Sequence, residues 1–331
     1  MKRVLSVFAV ILMICSAMTS CARGGEVMGE VSDMVSDMTD GGEKYTLRLG
    51  VYQSPNASEG KAKFASTFAA IICDSDGIIV DCVFDSIEDS VSIEGGAVVQ
   101  SGTALSKNEQ GNEYSMRSAS GIGKEWYEQA EHFADFIRGM NIEDAENVDG
   151  GEAELMAGCT IDINGFKAAI EEAEDNEEEA VAFESVETPK VALAVVSNSD
   201  GSKDATADSD GIASLTSTYA AVAKKGDKIA CANIEVTETK VYFDASGLIS
   251  EIDYGDGKRE EGDSYGMKAS SAIGLEWYEQ VRNFEKYIVG MTPDQVPQID
   301  MSDGYATDDA LKAGCTIKID DFVRAVAKTA Q

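Results

Sequence analysis

Two cations occupy matching positions in two similar segments of an otherwise acidic chain. Arg117 comes just before Ser120-Gly-Ile-Gly123, and Lys268 comes just before Ser271-Ala-Ile-Gly274. A helical pattern of apolar residues starts shortly after each segment. A helix N-terminus with free N–H groups, a hydroxyl and an adjacent cation can hold a phosphate or a carboxylate. The alternative is that the serines only cap the helices while the cations face water, because serine is a preferred cap.

A second motif, Ala-Gly-Cys-Thr-Ile, stands twice in the chain, each time before a predicted helix. Its glycines are Gly158 and Gly314, and its threonines are Thr160 and Thr316. The residue types alone are explained by a turn that glycine shapes and after which threonine begins a strand. A role in binding therefore depends on what surrounds these positions.

Several kinds of chemistry are excluded by residue type. The only histidine, His132, has Asn283 at the matching position, so no activity shared by both segments can use an imidazole. This excludes a Ser/His/Asp triad and the usual histidine-containing zinc sites, and the cysteines lack CxxC spacing. With 60 acidic and 27 basic residues, a net charge of −33 repels nucleic acid. No catalytic residue, no metal site and no nucleic-acid partner are therefore predicted.

The matching segments belong to an internal repeat. The sequence at 114–129 returns 151 residues later at 265–280, with Glu-Trp-Tyr-Glu-Gln in both copies. The Ala-Gly-Cys-Thr-Ile motifs recur at nearly the same spacing, so a duplicated domain explains both matches. Each copy is long enough to bury a core of its own. The predicted domains are a lipoprotein signal peptide at 1–20, a flexible tether at 21–44, a first α+β repeat at 45–175, an acidic linker at 176–189 and a second α+β repeat at 190–331.

Each copy places strands first and helices later. In the first copy, β-prone runs at 67–73 and 78–83 flank an Asp-Ser-Asp-Gly turn, and the second copy repeats this around a Lys-Gly-Asp turn. These runs predict antiparallel hairpins. An apolar stripe at helical spacing begins at Trp126 and again at Trp277, which is typical of a helix that packs on a sheet. The predicted fold class is α+β, with two tandem copies of a small antiparallel sheet packed with helices.

The N-terminus predicts export and lipid anchoring. Lys2 and Arg3 precede an apolar run at 4–18, which is too short for a comfortable bilayer span and is typical of a removable signal. The segment resembles a bacterial lipoprotein signal, which implies that Cys21 carries the lipid and becomes the mature N-terminus. The implied location is the extracytoplasmic face of a cell membrane. The alternative is an ordinary cleaved signal with an incidental cysteine.

The cysteines of the two copies occupy matching positions. Cys82 aligns with Cys231, and Cys159 aligns with Cys315. Possible disulfides are Cys82–Cys159 and Cys231–Cys315, because an exported protein meets an oxidising environment. The alternative is that the thiols are buried as small apolar groups.

The chain resembles the FMN-binding domain of cell-surface electron-transfer lipoproteins. The resemblance rests on Gly-Cys-Thr before a helix, on hairpins with an Asp-Gly or Gly-Asp turn, and on the lipid anchor. In that family, a threonine at this place can be esterified by the phosphate of FMN. The resemblance implies that FMN is attached at Thr160 and Thr316, and that Gly158 and Gly314 let the backbone approach its phosphate.

The predicted function is that of a surface lipoprotein in binding or electron relay, with FMN as the cofactor and two flavins in series. Its predicted contacts are the membrane, through the lipid on Cys21, and a flavin or another small anionic ligand. The alternative is a cofactor-free surface module that binds a small ligand or another protein. A hydrolase with paired carboxylates is a third class, although no pair stands out by spacing.

Overall fold

The computed structural model describes residues 42–58, 60–99 and 104–330. The predicted signal peptide, Cys21 and the tether up to residue 41 lie outside the described residues, so those assignments stay predictions. No helix in the described part of the chain is long and apolar enough to cross a membrane.

Two long hairpins form the centre of the fold. The first joins β3 (Lys61–Asp74) to β4 (Ile79–Glu94), and the second joins β8 (Gly211–Lys225) to β9 (Lys228–Phe243). In the first turn, Asp74 Oδ1 accepts hydrogen bonds from the backbone N–H groups two and four residues later, at 2.9 and 3.0 Å. This side-chain bonding is the usual role of aspartate in a turn. Both hairpins were predicted, although each strand is longer than its β-prone run.

Shorter strands extend each hairpin into a separate sheet. The first sheet has the order β5-β4-β3-β1-β6, with β2 also on β3, and the second has the order β10-β9-β8-β7. Pairs β1–β3, β3–β4, β7–β8 and β8–β9 are antiparallel. The remaining strands are β1 (Glu43–Gln53), β2 (Asn56–Ser58), β5 (Ala97–Val99), β6 (Val181–Ser185), β7 (Lys190–Asn198), β10 (Ile249–Asp253), β11 (Met301–Ser302) and β12 (Tyr305–Ala306).

The segment predicted to be an acidic linker contains regular structure. A 3-10 turn spans Glu177–Glu179, and β6 follows it as an outer strand of the first sheet. The acidic residues pointed to a solvated linker, but alternate residues of Val181–Ser185 are partly or fully buried. Such alternation is the pattern of a strand with one covered face.

The predicted apolar stripes form the buried faces of two twelve-residue helices, α2 (Trp126–Ile137) and α6 (Trp277–Ile288). Each of these helices packs beside a second long helix that begins after the Ala-Gly-Cys-Thr-Ile motif. The remaining helices are α1 (Lys107–Gln110), α3 (Ile142–Ala145), α4 (Ala153–Met156), α5 (Asn164–Asp175), α7 (Asp309–Lys312) and α8 (Asp320–Lys328), with further 3-10 turns at Gly111–Tyr114, Gly262–Tyr265 and Pro293–Gln298.

The layers run helices, sheet, sheet, helices. The inner faces of the two sheets share one apolar core, in which the rings of Phe68 and Tyr219 lie 4.7 Å apart. Helices α2 and α5 cover the outer face of the first sheet, and α6 and α8 cover that of the second. The protein therefore has the mixed α+β fold that was predicted. Each half also buries an apolar core of its own under its helices, and the shared inner core comes in addition to the core expected for each repeat.

Candidate functional site

Two clefts open between a sheet and its covering helices. The first cleft has a volume of about 840 Å³ and the second about 640 Å³, and both fall in the range of small-molecule sites. Many residues of the two clefts correspond by their place in the repeat, and six pairs matter most for binding. These are Lys107, Met116, Ser120, Trp126, Gln129 and Thr160 in the first cleft, and Lys258, Met267, Ser271, Trp277, Gln280 and Thr316 in the second.

A fully buried glutamine ties the wall of each cleft together. Gln129 Oε1 accepts hydrogen bonds from the backbone N–H of Thr160 at 2.8 Å and from its hydroxyl at 3.2 Å. The Nε2 of the same side chain donates to Ser120 Oγ at 3.3 Å. Gln280 makes the same bonds to Thr316 and Ser271, at 2.8, 3.0 and 3.2 Å. The predicted serine and threonine positions are therefore neighbours in both clefts.

The threonine hydroxyls face the clefts with acceptor capacity to spare. Thr160 is exposed and Thr316 is half-buried. Each hydroxyl gives its proton to a glutamine, so its oxygen can accept a hydrogen bond or take part in a bond to a ligand. The glutamines that hold them were not among the predicted site residues. The signal for them was present, since both end the repeated Glu-Trp-Tyr-Glu-Gln sequence.

Replacing Gln129 with alanine is expected to lower the free energy of unfolding by about 1–3 kcal/mol, because the partly buried N–H of Thr160 loses its acceptor. Urea denaturation followed by tryptophan fluorescence measures this. Gln298→Ala is the matched control, because Gln298 is exposed and lines neither cleft. Equal losses in the two variants would show that Gln129 does not support the wall.

The glycines of the motif do not line either cleft. A Cβ on Gly158 would overlap the imidazole of His132, and one on Gly314 would lie 2.8 Å from Asn283 Nδ2. These glycines let the chain pass close to helices α2 and α6. The space that these glycines free is filled by a helix side chain, and their predicted role of letting the backbone approach a phosphate stays a prediction.

The helix N-termini that were predicted as anion sites each hold a carboxylate of the protein, and anion binding there stays a prediction. Helix α2 begins at Trp126, six residues after Ser120, and its N-cap is Glu125. The carboxylate of Glu125 accepts the backbone N–H of Met116 at 2.8 Å. A carboxylate already lies at this N-terminus, so a second anion would be repelled. Glu276 holds the same position in the second half and accepts from Met267 N–H at 2.8 Å.

The two predicted cations lie outside the clefts. Arg117 Nη2 contacts Glu128 Oε2 at 2.7 Å, and its side chain is about half exposed. The backbone N–H of Lys268 donates to Glu276 Oε1 at 2.8 Å, and Lys268 does not appear among the residues that line the second cleft. The geometry agrees with the alternative in which these cations face water.

A different pair of lysines reaches the clefts. Lys107 Nζ lies 5.3 Å from the ring centroid of Trp126, and Lys258 Nζ lies 6.0 Å from that of Trp277. These distances are those of cation–π contacts. Both lysines stand seven residues before the first tyrosine of the repeated segment. Extending the internal alignment upstream would have found them.

The cysteines are buried thiols. Cys73, Cys82, Cys159, Cys231 and Cys315 are all free, so the possible disulfides Cys82–Cys159 and Cys231–Cys315 are not formed. The Cys82 thiol instead donates to the Ala134 carbonyl at 3.5 Å, inside the core under helix α2. Burial raises the pKa of the Cys315 thiol to about 11. The thiols therefore act as small apolar groups, which was the stated alternative.

Among residues 42–58, 60–99 and 104–330, no group of three or more His, Cys, Asp and Glu side chains is arranged to hold a metal ion.

Comparison with known proteins gives one partial match. Chlorophenol reductase from Desulfitobacterium hafniense is 54% identical over 39 residues, which are 12% of this chain and 12% of that protein. The chain therefore matches about an eighth of the length of this curated relative. No family model and no solved structure matches the chain.

Proposed function

We propose that this protein is a lipid-anchored, extracytoplasmic protein whose two tandem α+β repeats each bind a flavin nucleotide and together relay electrons. The observation that carries the proposal is the pair of corresponding clefts. Each places a threonine hydroxyl, a buried glutamine, a tryptophan and a lysine around a space large enough for a small aromatic ligand.

The cleft residues fit FMN on three counts. The threonines of the resembled motif lie on the cleft walls, where they are accessible. The lysines offer a cation to a phosphate, and the tryptophans offer apolar surface to a planar ring system. In the first cleft, Thr160, Ser120 and Lys107 would hold the phosphate of the ligand, and Trp126 would lie on its aromatic side. FMN, when bound, would supply the redox chemistry, and the protein would supply position and electrostatics.

The partial match to chlorophenol reductase is consistent with a redox role but does not define one. Its name describes a reduction, and the shared segment is only 39 residues long. The match supports electron transfer as the general type of activity. The substrate of that reductase is not part of the proposal.

The first test is an absorption spectrum and an intact mass of the full chain, purified in detergent after co-expression with the source cell's flavin transferase. Denatured protein is expected to keep flavin absorbance and to carry the mass of two flavin nucleotides. Thr160→Ala combined with Thr316→Ala is expected to remove both signals. Thr188→Ala combined with Thr307→Ala is the matched control, since both of these threonines are exposed and neither lines a cleft.

The second candidate is a cofactor-free surface module that binds a small ligand or another protein. It is favoured by the glycines, which pack against α2 and α6, and by the glutamates that already occupy the helix N-termini. Colourless protein of unmodified mass that also fails to bind added FMN would establish this candidate over flavin binding.

A further inference from the structure

The lysines of the two clefts differ in their ionic partners. In the first cleft, Lys107 Nζ lies 2.5 Å from Glu88 Oε1, so the ammonium is neutralised. In the second cleft, Lys258 contacts the rings of Tyr265 and Trp277. Within the described part of the chain, no carboxylate oxygen lies within 4 Å of the Lys258 ammonium.

Strand register identifies the counterpart of Glu88. Glu88 lies opposite Ala65 in the first hairpin, and Glu238 lies opposite Thr216 in the second. Ala65 and Thr216 each line their cleft and are 151 residues apart, the spacing of the repeat. Glu238 is therefore the carboxylate that would be expected beside Lys258.

A lysine on the same strand face holds Glu238 instead. Glu238 Oε2 lies 2.8 Å from Lys240 Nζ. The register places Lys240 opposite Ser214, and the equivalent position in the first hairpin is Ser90, opposite Lys63. The first half thus has serine where the second half has the lysine that engages the glutamate. This one difference leaves the Lys258 ammonium without an acidic partner.

We propose that the second cleft is the anion-selective site of the chain, and that it binds an aromatic anion more tightly than the first cleft because Lys240 holds Glu238 away from Lys258. This deepens the proposed function and rests on it, since a flavin nucleotide is the ligand class.

The second cleft is also lined by four other charged residues, Asp200, Lys318, Asp320 and Asp321. Lys318 stands where the first cleft has Asp162, and its Nζ lies 5.9 Å from the ring of Tyr305. Asp320 and Asp321 begin helix α8, and Asp321 pairs with Arg324 at 2.7 Å. Within the described residues, none of these carboxylates lies within 4 Å of the Lys258 ammonium, so the proposed discrimination comes from Lys258 rather than from the total charge of the cleft.

The test titrates the flavin-free full chain in detergent with FMN and, separately, with riboflavin, which lacks the phosphate. At low salt, FMN is expected to bind at one tight and one weaker site. Lys240→Ser should weaken the tight site about tenfold, and Glu88→Gln should strengthen the weaker site about tenfold, because each changes one short-range charge interaction with the ligand. Lys258→Gln should remove the difference between the sites. Riboflavin binding should change little in any of the three variants.

Two controls carry the same charge changes at exposed positions of the first hairpin that line neither cleft. They are Lys63→Ser and Glu94→Gln, and both should leave FMN binding as in the unmodified chain. Equal FMN affinity at both sites, or no response to Lys240→Ser, would overturn the inference while leaving flavin binding in place.

If neither FMN nor riboflavin binds, the proposed function is overturned. This outcome differs from flavin binding with equal affinity at both clefts, which overturns only the inference. The same variants are then titrated with 8-anilinonaphthalene-1-sulfonate, an aromatic anion that reports binding by fluorescence. Weaker binding in Lys240→Ser and stronger binding in Glu88→Gln would retain an anion-selective second cleft for another ligand. Unchanged binding in Lys240→Ser would overturn it.

Discussion

Replacing Arg259 with methionine is expected to lower the free energy of unfolding by about 3–5 kcal/mol at pH 8, because it leaves buried carboxylates without their cation. Arg259 is almost fully buried, and its guanidinium contacts Glu285 and lies 3.3 Å from Glu179 Oε2. Its backbone N–H donates to both oxygens of Glu235 at 3.0 Å. Glu179 follows helix α5, so this cluster also connects the first half of the chain to the second.

The decrease in the free energy of unfolding caused by Arg259→Met should become smaller as the pH falls. Burial raises the pKa of Glu235 from its ordinary value of 4.5 to about 7, and the Arg259 charge opposes that rise. A carboxyl group whose pKa is raised in the folded state stabilises the fold below its ordinary pKa, and this contribution is lost as the pH rises through about 7. At pH 5 the carboxyl is largely protonated and depends less on the cation.

Urea denaturation at pH 8 and pH 5 measures both effects. Arg324→Met is the matched control, because the Arg324–Asp321 pair is on the surface and such pairs contribute about 0–1 kcal/mol. Two results would contradict the role of Arg259 as the partner of buried carboxylates. One is a decrease in the free energy of unfolding that equals that of the control, and the other is a decrease that grows as the pH falls.

Replacing Gly50 with alanine is expected to destabilise the fold by about 3 kcal/mol or more, because the added methyl group meets helix backbone. Its Cβ would overlap the carbonyl oxygen of Ala169 and lie 2.5 Å from the backbone nitrogen of Ala173. Backbone atoms of α5 cannot rotate away as a side chain can, so the helix must shift from the sheet. The same helix carries Phe166 into the first cleft, so ligand binding there should weaken as well.

Gly255→Ala is the matched control for Gly50→Ala. A Cβ on Gly255 would meet no atom within 4 Å, so its effect should stay within about 0.5 kcal/mol. Thermal unfolding and urea denaturation of both variants measure the difference. Similar melting temperatures for Gly50→Ala and the unmodified chain would show that β1 and α5 are not in the close contact described.

Much of the secondary structure could be predicted because its signals are local. Alternation with a period of two marked the hairpins, and apolar residues at helical spacing marked α2 and α6. The serines and threonines that were predicted to bind a cofactor all line the clefts, and their role in binding stays a prediction. The neighbours of Gly158 and Arg117 could not be predicted, because the contacts with His132 and Glu128 depend on how a loop crosses a helix.

The sequence by itself determined the repeat, the hairpins, the helices and the residue types that both halves share. Only the tertiary structure decided that the two sheets share a core, that Lys107 is neutralised by Glu88 and that Glu238 turns to Lys240 instead of Lys258. The physical reason is the separation along the sequence over which each interaction acts. Periodicity and turn chemistry act over a few neighbouring residues, whereas an ion pair depends on distances of a few ångströms between strands and loops that are far apart in the chain.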